Sequence, residues 1–187
     1  MFPKRFLALL GSAAAFLICL LVLPTFAQSS SASISNYRLG PGDVITIQVL
    51  GEDDLTRRAI RLSDAATISY PILGEIRLAG KTVGELEHII TEGLRGRYLV
   101  NPQVTVSIDE YRRFFINGQV GQPGGYPYAP GLSVLKAITI AGGFRERADQ
   151  DKIFIVRDSD PEQKRVPADL KTPVYPGDVI TVEESFF

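Results

Sequence analysis

Residues able to do chemistry are few in this 187-residue chain, and their spacing limits what they can do. There is one histidine, His88, and one cysteine, Cys19. A zinc centre is built from several nitrogen or sulfur ligands, so one His among carboxylates suits zinc poorly. The densest carboxylate group is Glu52-Asp53-Asp54. Neighbours in a turn or strand point different ways, whereas a glycosidase pair must flank one sugar bond at a set separation. A calcium loop alternates its oxygen ligands and then turns at a Gly, a pattern these residues lack. They read instead as a solvated loop apex. Arg145-Glu-Arg-Ala-Asp149 reads first as a solvated charge run and second as a salt-bridging subunit contact. Gly142-Gly143 closes a helical pattern, while a phosphate cradle needs glycine before a helix. His88 lies off the apolar stripe of its own helix and is expected to face solvent. The residues therefore nominate no catalytic, cofactor or metal site, and they leave any substrate-binding residue unassigned.

Two further acids stand in a repeated setting. Tyr37-Arg-Leu-Gly-Pro-Gly-Asp43-Val-Ile-Thr-Ile-Gln-Val49 has a shorter echo in Val174-Tyr-Pro-Gly-Asp178-Val-Ile-Thr-Val182. In both, Pro then Gly fit the centre of a type II turn, where Gly supplies the positive φ. The β-branched run that follows alternates as a strand does. Asp43 and Asp178 sit at the turn–strand junction, where a short carboxylate accepts backbone N–H groups and holds the turn. Both are read as structural.

The elements that position these turns are mostly strands. Strands are expected over 43–50, 57–62, 67–70 and 72–78, with Pro71 and Gly74 dividing the last two. Thr82-Val-Gly-Glu85 is a capping box opening a helix, on which Val83, Leu86, Ile90 and Leu94 recur at helical spacing. Asn101-Pro102 marks the exit, and Val104, Val106 and Ile108 alternate as the next strand. A strand over 114–120 then leads into a turn at 121–125 and the short Tyr126-Pro-Tyr128. Ser133 caps a second helix carrying Val134, Leu135, Ile138 and Ala141, which Gly142-Gly143 stops. Strands over 152–156 and 179–182 complete an α+β pattern.

At the N-terminus, Lys4 and Arg5 precede an apolar run from Phe6 to Leu23, which Pro24 breaks before Thr25-Phe26-Ala27. This is the layout of a secretory signal over residues 1–27, cut before Gln28. Rival uses of the run are an uncleaved anchor or lipidation at Cys19, where Phe16-Leu17-Ile18 replace the small residues expected before a lipidated Cys. Cleavage would leave no cysteine, hence no disulfide chemistry. It would also move the formal charge from −1 to about −3 by removing Lys4 and Arg5. A mildly acidic chain is a poor partner for nucleic acid. Serine-rich residues 28–35 read as a flexible lead-in.

The motif Tyr-Arg-Leu-Gly-Pro-Gly-Asp-Val behind a signal resembles the start of the bacterial polysaccharide biosynthesis/export proteins. The order of strands, capped helix and Asn101-Pro-Gln-Val-Thr-Val106 is similar to that family's export domain, placed at 36–112. Ile116-Asn-Gly-Gln-Val-Gly-Gln-Pro-Gly-Gly125 with Leu132-Ser-Val-Leu-Lys-Ala-Ile-Thr-Ile-Ala-Gly-Gly143 resembles the soluble-ligand-binding β-grasp (SLBB) module that follows, placed at 113–187. The resemblance implies a strand-rich domain with one helix, then a β-grasp with one helix. It implies a non-enzymatic, cofactor-free component of a capsular or exopolysaccharide export channel in the periplasm at the outer membrane. Its partners would be polysaccharide, other copies of itself in a ring and an inner-membrane polysaccharide co-polymerase. Many relatives are lipoproteins, from which Cys19 departs. Some also carry a C-terminal amphipathic pore helix. Here Glu183-Glu-Ser-Phe-Phe187 follows the last strand directly, so the expectation is either a separate outer-membrane pore protein or a ring that only docks to the membrane. The alternative is a periplasmic carbohydrate-binding adaptor that forms no conduit.

Overall fold

The computed structural model describes residues 36–185. The expected signal with its cleavage site, Cys19, the lead-in at 28–35 and the terminal Phe186-Phe187 lie outside the described residues.

The first half begins with β1, Val44–Val49, whose Val, Ile and Thr content favours extended chain. It is the centre of an antiparallel sheet between β2, Arg57–Arg61, and β5, Val104–Glu110. β2 reads poorly as an alternating strand because its register slips between Ile45 and Ile47, and Ala59 takes a positive φ of 51°. That is the mark of a bulge. β3, Thr67–Tyr70, and β4, Gly74–Arg77, form a separate hairpin. Thr82 caps α1, Val83–Leu94, with the reciprocal Thr82–Glu85 bonds that its sequence foretells. Leu86, Ile90 and Leu94 are fully buried against Ile45, Ile47, Ile68 and Leu78. α1 also serves the sheet edge: Glu87 Oε1 accepts the Val106 N–H at 2.8 Å.

The second half is one five-stranded sheet in the order β7-β6-β10-β8-β9. Its strands are β6, Phe114–Gly118; β7, Gly124–Tyr126; β8, Ala148–Val156; β9, Arg165–Ala168; and β10, Val179–Glu184. β6 and β10 lie side by side and parallel, and every other pairing is antiparallel. First and last strands parallel at the centre of the sheet, with α2, Val134–Ile140, in the crossover, is the β-grasp plan. Its core gathers Phe114, Ile116, Val134, Ile138, Ile153, Ile155 and Ile180, and shares no residue with the first core.

The α+β expectation holds, and the local departures have physical causes. β6 ends at Gly118, short of the expected Val120, because Gly118 adopts φ 84°. The turn at 121–125 is shorter than expected, since Gly124 and Gly125 already pair with β6. Leu135 faces outward from α2, about half exposed, while Ala137 takes the buried place. β8 starts at Ala148, taking in the end of the charge run, because Ala148 pairs with Glu184 across a register slip. β9 escaped prediction because Pro167 sits within it. It is an edge strand, where a missing N–H is tolerated.

Candidate functional site

Gly42 and Gly177 take φ 87° and 86°, as type II turns require, and deliver Asp43 and Asp178 into buried positions. Each Asp accepts the N–H three residues back: Gly40 for Asp43 and Tyr175 for Asp178, both at 2.8 Å. Each also accepts a backbone N–H from the residue two past the end of a neighbouring antiparallel strand. That donor is Arg112 after β5 (2.8 Å) and Asp158 after β8 (3.3 Å). The two turns thus follow one local plan.

Side chains then distinguish them. The Tyr37 hydroxyl donates to Asp43, 2.8 Å from both carboxylate oxygens, and accepts from Arg112 Nη1 at 2.7 Å. Arg112 Nη1 also reaches Asp43 Oδ2 at 3.3 Å. Asp178 is paired instead with Arg157, whose Nη1 lies 2.6 Å from Oδ2 and 2.8 Å from the Pro173 carbonyl. Burial first, and the charge of Asp43 second, hold the Tyr37 phenol far above its ordinary pKa. Burial opposes the charge on Arg112, but Tyr37, Asp43 and Asp158 outweigh it and raise its pKa.

Arg112 joins the two plans. Its Nε and Nη2 donate to Asp158 Oδ2 at 3.1 and 2.8 Å. One residue therefore holds Asp43 in the first half with its main chain and Nη1, and Asp158 in the second with Nε and Nη2. Gly40 makes room for this: a Cβ there would stand 2.7 Å from Arg112 Nη1. A run of edge-to-face tyrosines follows the same seam. Tyr37 and Tyr111 have centroids 5.0 Å apart at 83°, and Tyr111 and Tyr128 are 5.3 Å apart at 77°.

Beside this seam lies an open cleft of about 810 Å³, lined among others by Arg61, Glu110, Tyr111, Arg112, Arg113 and Tyr128. Arg61 is paired with Glu110 at 3.2 Å, and its Nη1 donates to the Gly42 carbonyl. The cleft offers ring surfaces, hydroxyls and guanidinium groups, and no nucleophile aligned with a base.

The sequence-stated candidates are scattered. His88 is exposed on α1. Asp53 and Asp54 begin a 3-10 turn, Asp53–Leu55, anchored by buried Leu55, whose carbonyl accepts the Tyr70 hydroxyl. Arg147 pairs with Glu184, and Asp149 with Lys152. Among the described residues no group of His, Cys, Asp and Glu is placed to hold a metal ion. No helix among them is long and apolar enough to cross a membrane. What the residues alone did not disclose is Arg112, Asp158 and the cleft. Arg112 and Asp43 lie 69 positions apart, and nothing local to either announces the pairing.

The family model described as polysaccharide biosynthesis/export protein matches residues 31–109, and the SLBB domain model matches residues 113–166. Among curated proteins, the chain is 33% identical over 153 residues to the exopolysaccharide production protein ExoF of Rhizobium meliloti, covering 73% of this chain and 35% of that one. It is 27% identical over 187 residues to the EPS I polysaccharide export outer membrane protein EpsA of Ralstonia nicotianae, covering 82% and 49%. The protein of the same description from Ralstonia solanacearum is 26% identical over 186 residues, covering 81% and 49%. The chain thus spans about a third to a half of the length of these relatives.

Proposed function

Because the chain belongs to the bacterial polysaccharide biosynthesis/export protein family, we propose that it is a non-enzymatic component of a capsular or exopolysaccharide export channel. It works in the periplasm at the outer membrane, with residues 36–112 as the export domain and 113–187 as the SLBB module. Its partners are the polysaccharide, further copies of itself and an inner-membrane co-polymerase. The observation that carries this reading is the clasp: Arg112 ties both modules into one building block. A module of this size cannot enclose a polymer, but several copies around an axis can, provided each presents the same fixed pair of surfaces. Passage of a long chain also calls for weak, distributed contacts, which fits a seam without paired acid and base.

Deleting the protein should stop polymer appearing outside the cell while lipid-linked repeat units continue to be made. Complementation with His88→Ala, or with Glu52, Asp53 and Asp54 all changed to Ala, should restore export at normal abundance. Loss of export by either variant, at normal abundance and ring assembly, would point to catalysis or a specific ligand site and sink the passive-channel reading. A second reading, a carbohydrate-binding adaptor without a conduit, draws on the tyrosine-lined cleft, which needs no neighbouring copy. Native mass spectrometry separates the two: a closed ring supports the channel, a monomer the adaptor.

A further inference from the structure

We propose that the cleft beside Arg112 is a subsite for a single pyranose unit bearing a carboxylate, gripped by Arg113 and by the hydroxyls of Tyr111 and Tyr128. This deepens the export reading and rests on it for the class of ligand. Three guanidinium groups line the cleft, and two are already committed. Arg61 is paired with Glu110, and Arg112 is held between Asp43 and Asp158. Arg113 is exposed, and among the described residues its side chain has no hydrogen bond, ion pair or ring contact. Its backbone is fixed on both sides: the carbonyl accepts the Gly177 N–H at 3.2 Å, and Phe114 next to it is fully buried. The planar fork of a guanidinium so placed matches a carboxylate in two parallel hydrogen bonds.

The tyrosines complete the subsite. Both line the cleft half-buried, their rings fixed edge-to-face. Neither hydroxyl has a hydrogen-bond partner among the described residues. Burial raises the pKa of both phenols, so both carry their proton at neutral pH. A sugar ring offers what these groups lack: hydroxyls for the two phenols and an apolar face for a ring. The one other carboxylate there without a cation, Asp109, accepts the Thr46 hydroxyl at 2.6 Å from the neighbouring strand and sets a limit on how many acids the cleft tolerates. The subsite therefore takes one acidic residue of a repeat rather than a uniformly charged run.

The test is calorimetric titration of the full chain, in mild detergent, with a disaccharide carrying a single uronic acid, glucuronosyl-glucose, and with its methyl ester. The acid should bind the wild type more tightly than the ester does. Arg113→Gln should weaken the acid by about tenfold and leave the ester unchanged. Tyr128→Phe should weaken both forms by a few-fold, since it keeps the ring and removes the donor. Arg97→Gln, an exposed arginine outside the cleft, should change neither. Equal binding of acid and ester, an unchanged Arg113→Gln, or equal loss from Arg97→Gln would each overturn the subsite. Unaltered thermal melting of Arg113→Gln excludes misfolding. The two readings fail separately. Export lost on deletion with Arg113-independent binding removes the subsite alone. Export kept on deletion with Arg113-dependent binding removes the channel alone.

Discussion

The turns at Asp43 and Asp178 share a backbone plan and differ in where their arginine comes from. Arg157, which serves Asp178, stands beside the strand that pairs with its own turn's strand, and all its partners lie in the second half. Arg112, which serves Asp43, reaches beyond the first half to Asp158. The same chemistry closes a turn in one place and joins two cores in the other. A buried carboxylate, with a cation available in one geometry only, is a device for fixing orientation more than for adding stability.

The largest expected effect comes from removing the shared residue. Arg112→Met should cost about 3–5 kcal/mol, because it leaves Asp43 buried without its cation. Arg157→Met should fall at the lower end of that range, about 3 kcal/mol, with its carboxylate equally buried but only one half disturbed. Hydrogen exchange of peptides from each half checks the contrast: Arg112→Met should release the two halves to open separately, while Arg157→Met should loosen the second alone. Coincident opening in Arg112→Met would break the comparison.

Next come the glycines. Gly42→Val should cost about 1–3 kcal/mol from positive φ alone, since its Cβ would find only Arg112 Cβ at 3.7 Å. Gly177→Val should cost more, because its Cβ would stand 2.5 Å from Asp158 Cγ and push away the carboxylate that Arg112 holds. Urea unfolding midpoints rank the pair, and an inverted order would mean the Asp158 side chain swings clear at no cost.

Below Gly177→Val comes the effect of an amide. Asp43→Asn should cost about 2 kcal/mol, since Gly40 N–H, Tyr37 hydroxyl and Arg112 already direct donors at both oxygens and an amide adds one more. Asp178→Asn should fall about 0.5–1 kcal/mol below that, having no phenol donor on its carboxylate. Thermal melting of the two proteins decides it.

The smallest effect is alkaline. The folded pKa of Tyr37 lies above the unfolded value of about 10. Its share of stability is therefore complete below that pH and is lost as pH rises through and beyond it. The first half should gain exchange with rising pH before the second, and Tyr37→Phe should remove the difference.

Much of this could be read from residue types, because it rests on local rules. The capping box at Thr82 and Glu85, the left-handed glycines of both turns and the Leu86–Ile90–Leu94 stripe each depend on neighbours within a few positions. What escaped depends on distance or on context. β9 was hidden because Pro167 is forbidden in a central strand yet harmless at an edge, and edge status is a property of the finished sheet. The bond by which Glu87 closes the edge of β5 joins residues 19 positions apart and follows no local pattern. Asp43 and Asp178 announced a turn, but the identity of the cation on each depended on which chain segment folding brings alongside.

Arg112 and Asp158 hold matching places in the two copies of the turn plan, yet one is basic and the other acidic. The seam therefore has a direction. Exchanging halves with a relative should keep this cross-seam pair only where the incoming second half carries an acid at the place of Asp158. A charge-swapped pair, Arg112→Asp with Asp158→Arg, would restore the cross-seam attraction but set a second carboxylate against Asp43. A hybrid made at this junction should therefore be held best when its two halves bring opposite charges to these two positions.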